Sequence, residues 1–98
     1  MNTYAIRRER AWESPADLEK TAQRSKEVAA SEFPDDIAWI RSYVIKEEGG
    51  TLGTICIYQA TDVEKVIEHA NRVDMPADEV LEIADTVIVR PDPQPQAA

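Results

Sequence analysis

IAWIRSYVIKEEGGTLGTICIYQA, residues 37–60, reads as two strands folded about a glycine pair. Both halves are rich in β-branched and aromatic residues, which suit a pleated, half-buried surface. Gly49 and Gly50 between them are a hairpin signal, because tight two-residue turns need positive φ. With the turn centred between the two glycines, Glu48 opposes Thr51. Side chains alternate across a strand, so each face collects every second residue. One face then holds Ile40, Ser42 and Val44 with Ile55, Ile57 and Gln59. The other holds Trp39, Arg41, Tyr43 and Ile45 with Thr54, Cys56, Tyr58 and Ala60. The aliphatic first set suits a helix-packed core. The second set predicts an aromatic and polar face left uncovered by helices.

The flanking sequence sets this hairpin in a repeated strand–helix–strand rhythm. TYAIRR (3–8) is a first strand. Ser14, Pro15 and Asp17 form a helix start, with a side-chain cap, proline at the first position and an acidic residue three after the cap. Leu18, Ala22, Ser25, Val28 and Ala29 recur at helical spacing, and Pro34 ends that helix. A second helix opens at Thr61 with T-D-V-E and carries Val63, Val66, Ile67, Ala70 and Val73 on one stripe. MPAD (75–78) breaks it. VLEIADTVIV (80–89) reads as a last strand, and PDPQPQAA (91–98) as a mobile Pro- and Gln-rich tail. The order β-α-β-β-α-β is the ferredoxin-like, or split βαβ, pattern. It predicts an α+β domain over residues 1–90, with a four-stranded antiparallel sheet and two helices on one face.

Composition narrows the function. The chain has 98 residues and a net charge of −8, and phosphate contacts need a basic surface, so nucleic acid is not the expected partner. Arg7, Arg8 and Arg10 make the one basic cluster, diluted by Glu9 and Glu13, and read as a solvated strand end. No apolar run is long enough to span a membrane. The charged MNTYAIRRER start and the single cysteine favour the cytoplasm. An aromatic face left open on a monomer marks a partner or ligand surface. A homodimer, sheet against sheet, with Trp39, Arg41, Tyr43, Cys56 and Tyr58 lining a pocket between the subunits, satisfies both. Arg41 would be the anion anchor of that pocket.

Cys56 and His69, the sole cysteine and histidine, lie thirteen residues apart. Strand and helix rises place them at similar height, about 12–13 Å from the connection at Ala60. The uncovered-face parity of Cys56 puts the sheet between them, which disfavours a metal or nucleophile–base pair within one chain. His69 borders the apolar stripe, where it can bond a backbone group or serve as a metal ligand. Glu64 and Glu68 share a helical row with each other but not with His69. No Gly-rich phosphate loop, HExxH, CxxC or GxSxG is present.

Ile37-x-Trp39-x-x-Ser42-Tyr43-Val44, Cys56-x-Tyr58-x-Ala60, Glu64, His69-Ala70 and Pro76-Ala77-Asp78-x-Val80 together resemble a family of small bacterial proteins known as a domain of unknown function. The resemblance covers roughly residues 4 to 90. One group in that family is nickel-binding, with a dimeric ferredoxin-like fold, so the resemblance implies a dimeric α/β-barrel arrangement. It also implies nickel or another transition metal as a candidate cofactor, with His69 as a ligand. Many relatives carry His where this chain has Arg41 and Cys where it has Lys26, so cations stand here in place of good metal donors. A small binding protein is thus the first expectation. An enzyme of the dimeric α/β-barrel monooxygenase or isomerase type, using Arg41, Tyr43, Tyr58 and His69, is the second. A purely structural interaction module is the third.

Overall fold

The computed structural model describes residues 1–94; residues 95–98, the end of the expected tail, lie outside the described residues. Seven segments follow one another: β1 (Asn2–Trp12), α1 (Pro15–Glu32), β2 (Ile37–Lys46), a 3-10 turn (Glu48–Gly50), β3 (Leu52–Ala60), α2 (Val63–Val73) and β4 (Glu79–Ile83). The sheet order is β2-β3-β1-β4, all neighbours antiparallel. This is the ferredoxin-like arrangement expected from the sequence. No helix among the described residues is long and apolar enough to cross a membrane.

Local chemistry accounts for the helix ends. Ser14 caps α1, its Oγ accepting from the Asp17 N–H at 3.2 Å. α2 is capped by Asp62 rather than Thr61; its Oδ1 accepts from the Lys65 N–H. Thr61 instead donates its hydroxyl to Asp36 at the base of β2. Asp74 ends α2 in the left-handed region, which a short polar side chain tolerates, and the Met75 N–H closes onto the Ala70 carbonyl.

The hairpin register differs from the sequence expectation, with large consequences. Glu47, not Glu48, faces Thr51, and the chain turns about Gly49 alone in a three-residue loop. Tyr43 therefore opposes Ile55 and Ser42 opposes Cys56. That one-residue shift turns every side chain of β3 to the other face. Glu47 is drawn into the ladder from outside the hairpin: it binds the Arg7 guanidinium at 3.0 Å and accepts from the Arg10 N–H at 2.8 Å. The Arg10 amide, with Arg7 beside it, holds the Glu47 carboxyl below its ordinary 4.5. Gly53 lets the three groups meet, since a Cβ there would lie 2.5 Å from the Arg8 carbonyl oxygen.

A second irregularity lies in β2. Trp39 pairs with Tyr58, but Arg41 pairs with Ile57, leaving Ile40 as a bulge. Trp39 is thereby turned to the helix side, while Arg41 and Tyr43 remain on the open side. The core under the helices is built from Tyr4, Ile6, Phe33, Ile37, Cys56, Tyr58, Ala60 and Val66. The set expected to be exposed is thus split: Trp39, Thr54, Cys56, Tyr58 and Ala60 lie under the helices, and Arg41, Tyr43 and Ile45 lie on the uncovered face.

The last expected strand is shorter than 80–89. β4 stops at Ile83, opposite Thr3, because β1 begins at Asn2 and offers nothing further to pair. The chain then crosses from the β4 edge to the β2 edge over the uncovered face. There Asp92 accepts from the Tyr43 hydroxyl at 2.9 Å and pairs with Arg41 at 3.3 Å. Val87, Ile88 and Val89 in this crossing are exposed.

Candidate functional site

Alternation along β1 puts Tyr4, Ile6 and Arg8 on one row, paired with Tyr58, Cys56 and Thr54 of β3. Both rows face the helices. An irregularity after Arg8 returns Trp12 to the same side. The i, i+3, i+4, i+7 stripe of α1 sets Leu18, Thr21, Ala22 and Ser25 above them. Between these surfaces lies a cavity of about 150 Å³, closed on its other flanks by Trp39, Ser42 and Val44 of β2 and by Met75. Val44 is half exposed and forms the rim.

Arg8 is the unusual wall residue. It is 0% exposed, and among the described residues Nε, Nη1 and Nη2 have no hydrogen-bond partner. Its guanidinium carbon lies 6.0 Å from the Tyr58 ring centroid. The other polar wall groups are largely paired. Trp12 Nε1–H donates to Thr21 Oγ1 at 2.9 Å, and Trp39 Nε1–H to Ser42 Oγ at 2.8 Å. The Cys56 thiol donates to Thr54 Oγ1 at 3.3 Å. Tyr58 stacks on Trp39 at 6.0 Å, and its hydroxyl shares a 3.2 Å hydrogen bond with Ser25 Oγ. Burial pushes the Tyr58 phenol up from its ordinary 10.0, against the opposing effects of Ser25 and Arg8, so it stays protonated.

His69 lies behind this wall, 1% exposed, wedged between Phe33 and Tyr58. Its Nε2 lies 3.1 Å from the Ser25 carbonyl oxygen and 3.4 Å from Ser25 Oγ. A carbonyl only accepts, so Nε2 carries the proton. Burial holds the imidazole below its ordinary 6.5; Arg8 adds to that, while the Ser25 carbonyl and Glu32 oppose it. The sign for stability follows. Below pH 6.5 the unfolded chain takes up a proton at His69 before the folded one does, so stability falls as pH drops through this range. One such site tilts stability by at most about 1.4 kcal/mol per pH unit. The melting temperature of the wild type is expected to fall between pH 6.5 and 5.5. His69→Leu, which removes the only histidine, should show a flat profile over the same interval.

The sheet does not separate Cys56 from His69, as the parity expectation had it; both lie on the helix side. They are nevertheless not a built metal centre. The two hold different partners, Thr54 and Ser25, and a cation lines the cavity beside them. Glu64 and Glu68 are exposed while His69 is buried, so that trio does not form. Among the described residues no group of three or more His, Cys, Asp and Glu side chains gathers to hold a metal ion. Arg41 and Tyr43, expected to share a pocket with Tyr58, are on the opposite face and engaged with Asp92. Arg8, Trp12 and Ser25 carry the site instead. Arg8 is no solvated strand end; the alternation Tyr4, Ile6, Arg8 was the signal for its burial.

Comparison with known proteins agrees with the fold. A family model described as "Nickel responsive protein SCO4226-like" matches residues 4–83. The crystal structure of SCO4226 from Streptomyces coelicolor A3(2) superposes with a TM-score of 0.66 at 15% sequence identity, covering 87% of this chain and 99% of that one. No curated protein matches the sequence.

Proposed function

The chain belongs to the SCO4226-like family of nickel-responsive proteins, and within that family we propose that it is a small-molecule-binding protein whose compartment is the cavity between α1 and the sheet. The observation that carries this reading is Arg8, buried and without a hydrogen-bond partner among the described residues, at the wall of a space of about 150 Å³. A concave, largely apolar enclosure with a polar group in its wall is a usual form of ligand site. Nickel does not fit this compartment: its one thiol donates to Thr54, the nearby imidazole N–H to Ser25, and the Arg8 guanidinium repels a metal cation. The assembly we propose is a homodimer through the uncovered face. Ile55 and Ile57 at its centre, Leu81 near the β4 edge and the exposed Val87–Val89 run favour a second copy of this chain there.

The only two tryptophans, Trp12 and Trp39, both line the cavity, so their emission reports what enters it. Titration with benzene-sized probes (phenol, benzamide and benzoate) is expected to give a saturable change with at least one of them. Ala22→Phe, which fills the cavity from α1, should abolish it. Silence from all three probes would sink the reading. Native mass spectrometry of the same samples with added Ni²⁺ is expected to show a dimer whose metal content is unaltered by Cys56→Ser. Stoichiometric nickel lost in that variant would restore a metal role for the thiol.

A further inference from the structure

We infer that the cavity takes a small monocarboxylate with an apolar body, its carboxylate held by Arg8. This rests on the cavity being the binding compartment and adds the chemical class of the occupant. A buried amine or carboxyl can shed its charge by shifting its pKa. A guanidinium cannot, so a fully buried arginine calls for an anion. The described walls supply none: among the described residues no Asp or Glu lines the cavity, the Tyr58 phenol stays protonated, and the Cys56 thiol donates to Thr54. None of the three guanidinium nitrogens has a hydrogen-bond partner among the described residues, and the planar fork they form matches the two oxygens of a carboxylate.

The rest of the enclosure selects against a bare inorganic anion. Its indole N–H groups already donate within the protein, Trp12 to Thr21 and Trp39 to Ser42, and its thiol donates to Thr54. A tetrahedral phosphate would leave oxygens desolvated against Trp12, Trp39 and Leu18. A flat apolar body meets those same side chains favourably and can stack on the Trp39–Tyr58 pair. The volume limits that body to about the size of one benzene ring. Lys26, whose Nζ lies 5.9 Å from the Trp39 ring centroid near the β2 edge, adds positive potential beside the cavity.

Benzoate and benzamide have the same shape and differ in charge, so their ratio reads the inference directly. Benzoate is expected to bind at least ~10-fold more tightly than benzamide, the scale of a charge-assisted hydrogen bond. Arg8→Gln should erase the preference while leaving benzamide binding, and Arg8→Lys should keep part of it. Equal affinity of wild type for the two probes overturns the inference while the cavity still stands as a binding site. No response to either removes both. Inorganic phosphate binding with benzoate excluded would also overturn it, since the apolar walls would then be idle. The wild-type ratio decides even where a variant folds poorly.

Discussion

Arg8→Met is expected to raise the melting temperature of the ligand-free protein. Most substitutions of a fully buried side chain lower it, so the sign is diagnostic. Methionine keeps much of the length and flexibility of arginine and fills the same space with apolar atoms. It removes a charge that has lost its water and gained no partner among the described residues. Replacing buried ionic groups by apolar residues of similar volume stabilises by about 1–4 kcal/mol where the groups were poorly compensated. A domain of this size has a total stability of about 5–15 kcal/mol, and 1 kcal/mol moves its melting point by roughly 4–8 °C. The loss of the cation–π contact with Tyr58 offsets only part of the gain. Benzoate should then protect the wild type and not the variant, because ligand that binds only the native state stabilises by mass action. A melting point lowered by Arg8→Met would mean that the guanidinium is satisfied within the protein and that the cavity needs no anion.

The fold was legible because its signals are local. Ser14-Pro15-Asp17, the stripe from Leu18 to Ala29, and the glycine pair each act within a few residues, and each produced its element. The site was not legible in the same way. It depends on which face β3 presents, and that depends on whether the hairpin turns on two residues or three. Gly49 and Gly50 both have positive φ in the structure, as a turn requires. What selects the longer turn is Glu47, held by Arg7 and by the Arg10 amide of β1, forty and thirty-seven residues away in the chain. The Ile40 bulge acts likewise, turning Trp39 inward beside Tyr58. A parity count along one hairpin contains neither effect.

The same shift changes what the departures from the nickel-binding pattern mean. Lys26 and Arg41 are cations at positions where the family resemblance implies metal donors. They do not share a face here, since Arg41 is tied to Asp92 across the uncovered side and Lys26 lies over Trp39. A lost metal site would leave only idle cations. Here one of them, Lys26, lies beside Trp39 on the flank of a cavity whose wall holds Arg8. Charge of one sign gathered about one enclosure suits an anionic ligand better than a vestigial metal centre.

Tyr58→Ala is expected to be the most damaging single change on the site. Tyr58 is 1% exposed and joins four groups: it stacks on Trp39, faces His69, meets Ser25 through its hydroxyl and lies under the Arg8 guanidinium. Truncating a large buried ring costs about 3–5 kcal/mol through lost transfer energy and the space left behind. That is a large part of the whole stability, so a melting point lower by more than about 12 °C is expected. Tyr58→Phe isolates the hydroxyl. It keeps the ring, the stack and the cation–π face, and Ser25 Oγ retains His69 Nε2 as a neighbour at 3.4 Å. Its cost should be only about 0.5–1.5 kcal/mol, the net worth of one hydrogen bond. Because the phenol is protonated and bonded away from the anion, Tyr58→Phe should also leave the benzoate preference over benzamide intact. A phenylalanine variant that keeps its stability yet loses that preference would move the anion contact from Arg8 to the tyrosine hydroxyl, and with it the chemistry of the site.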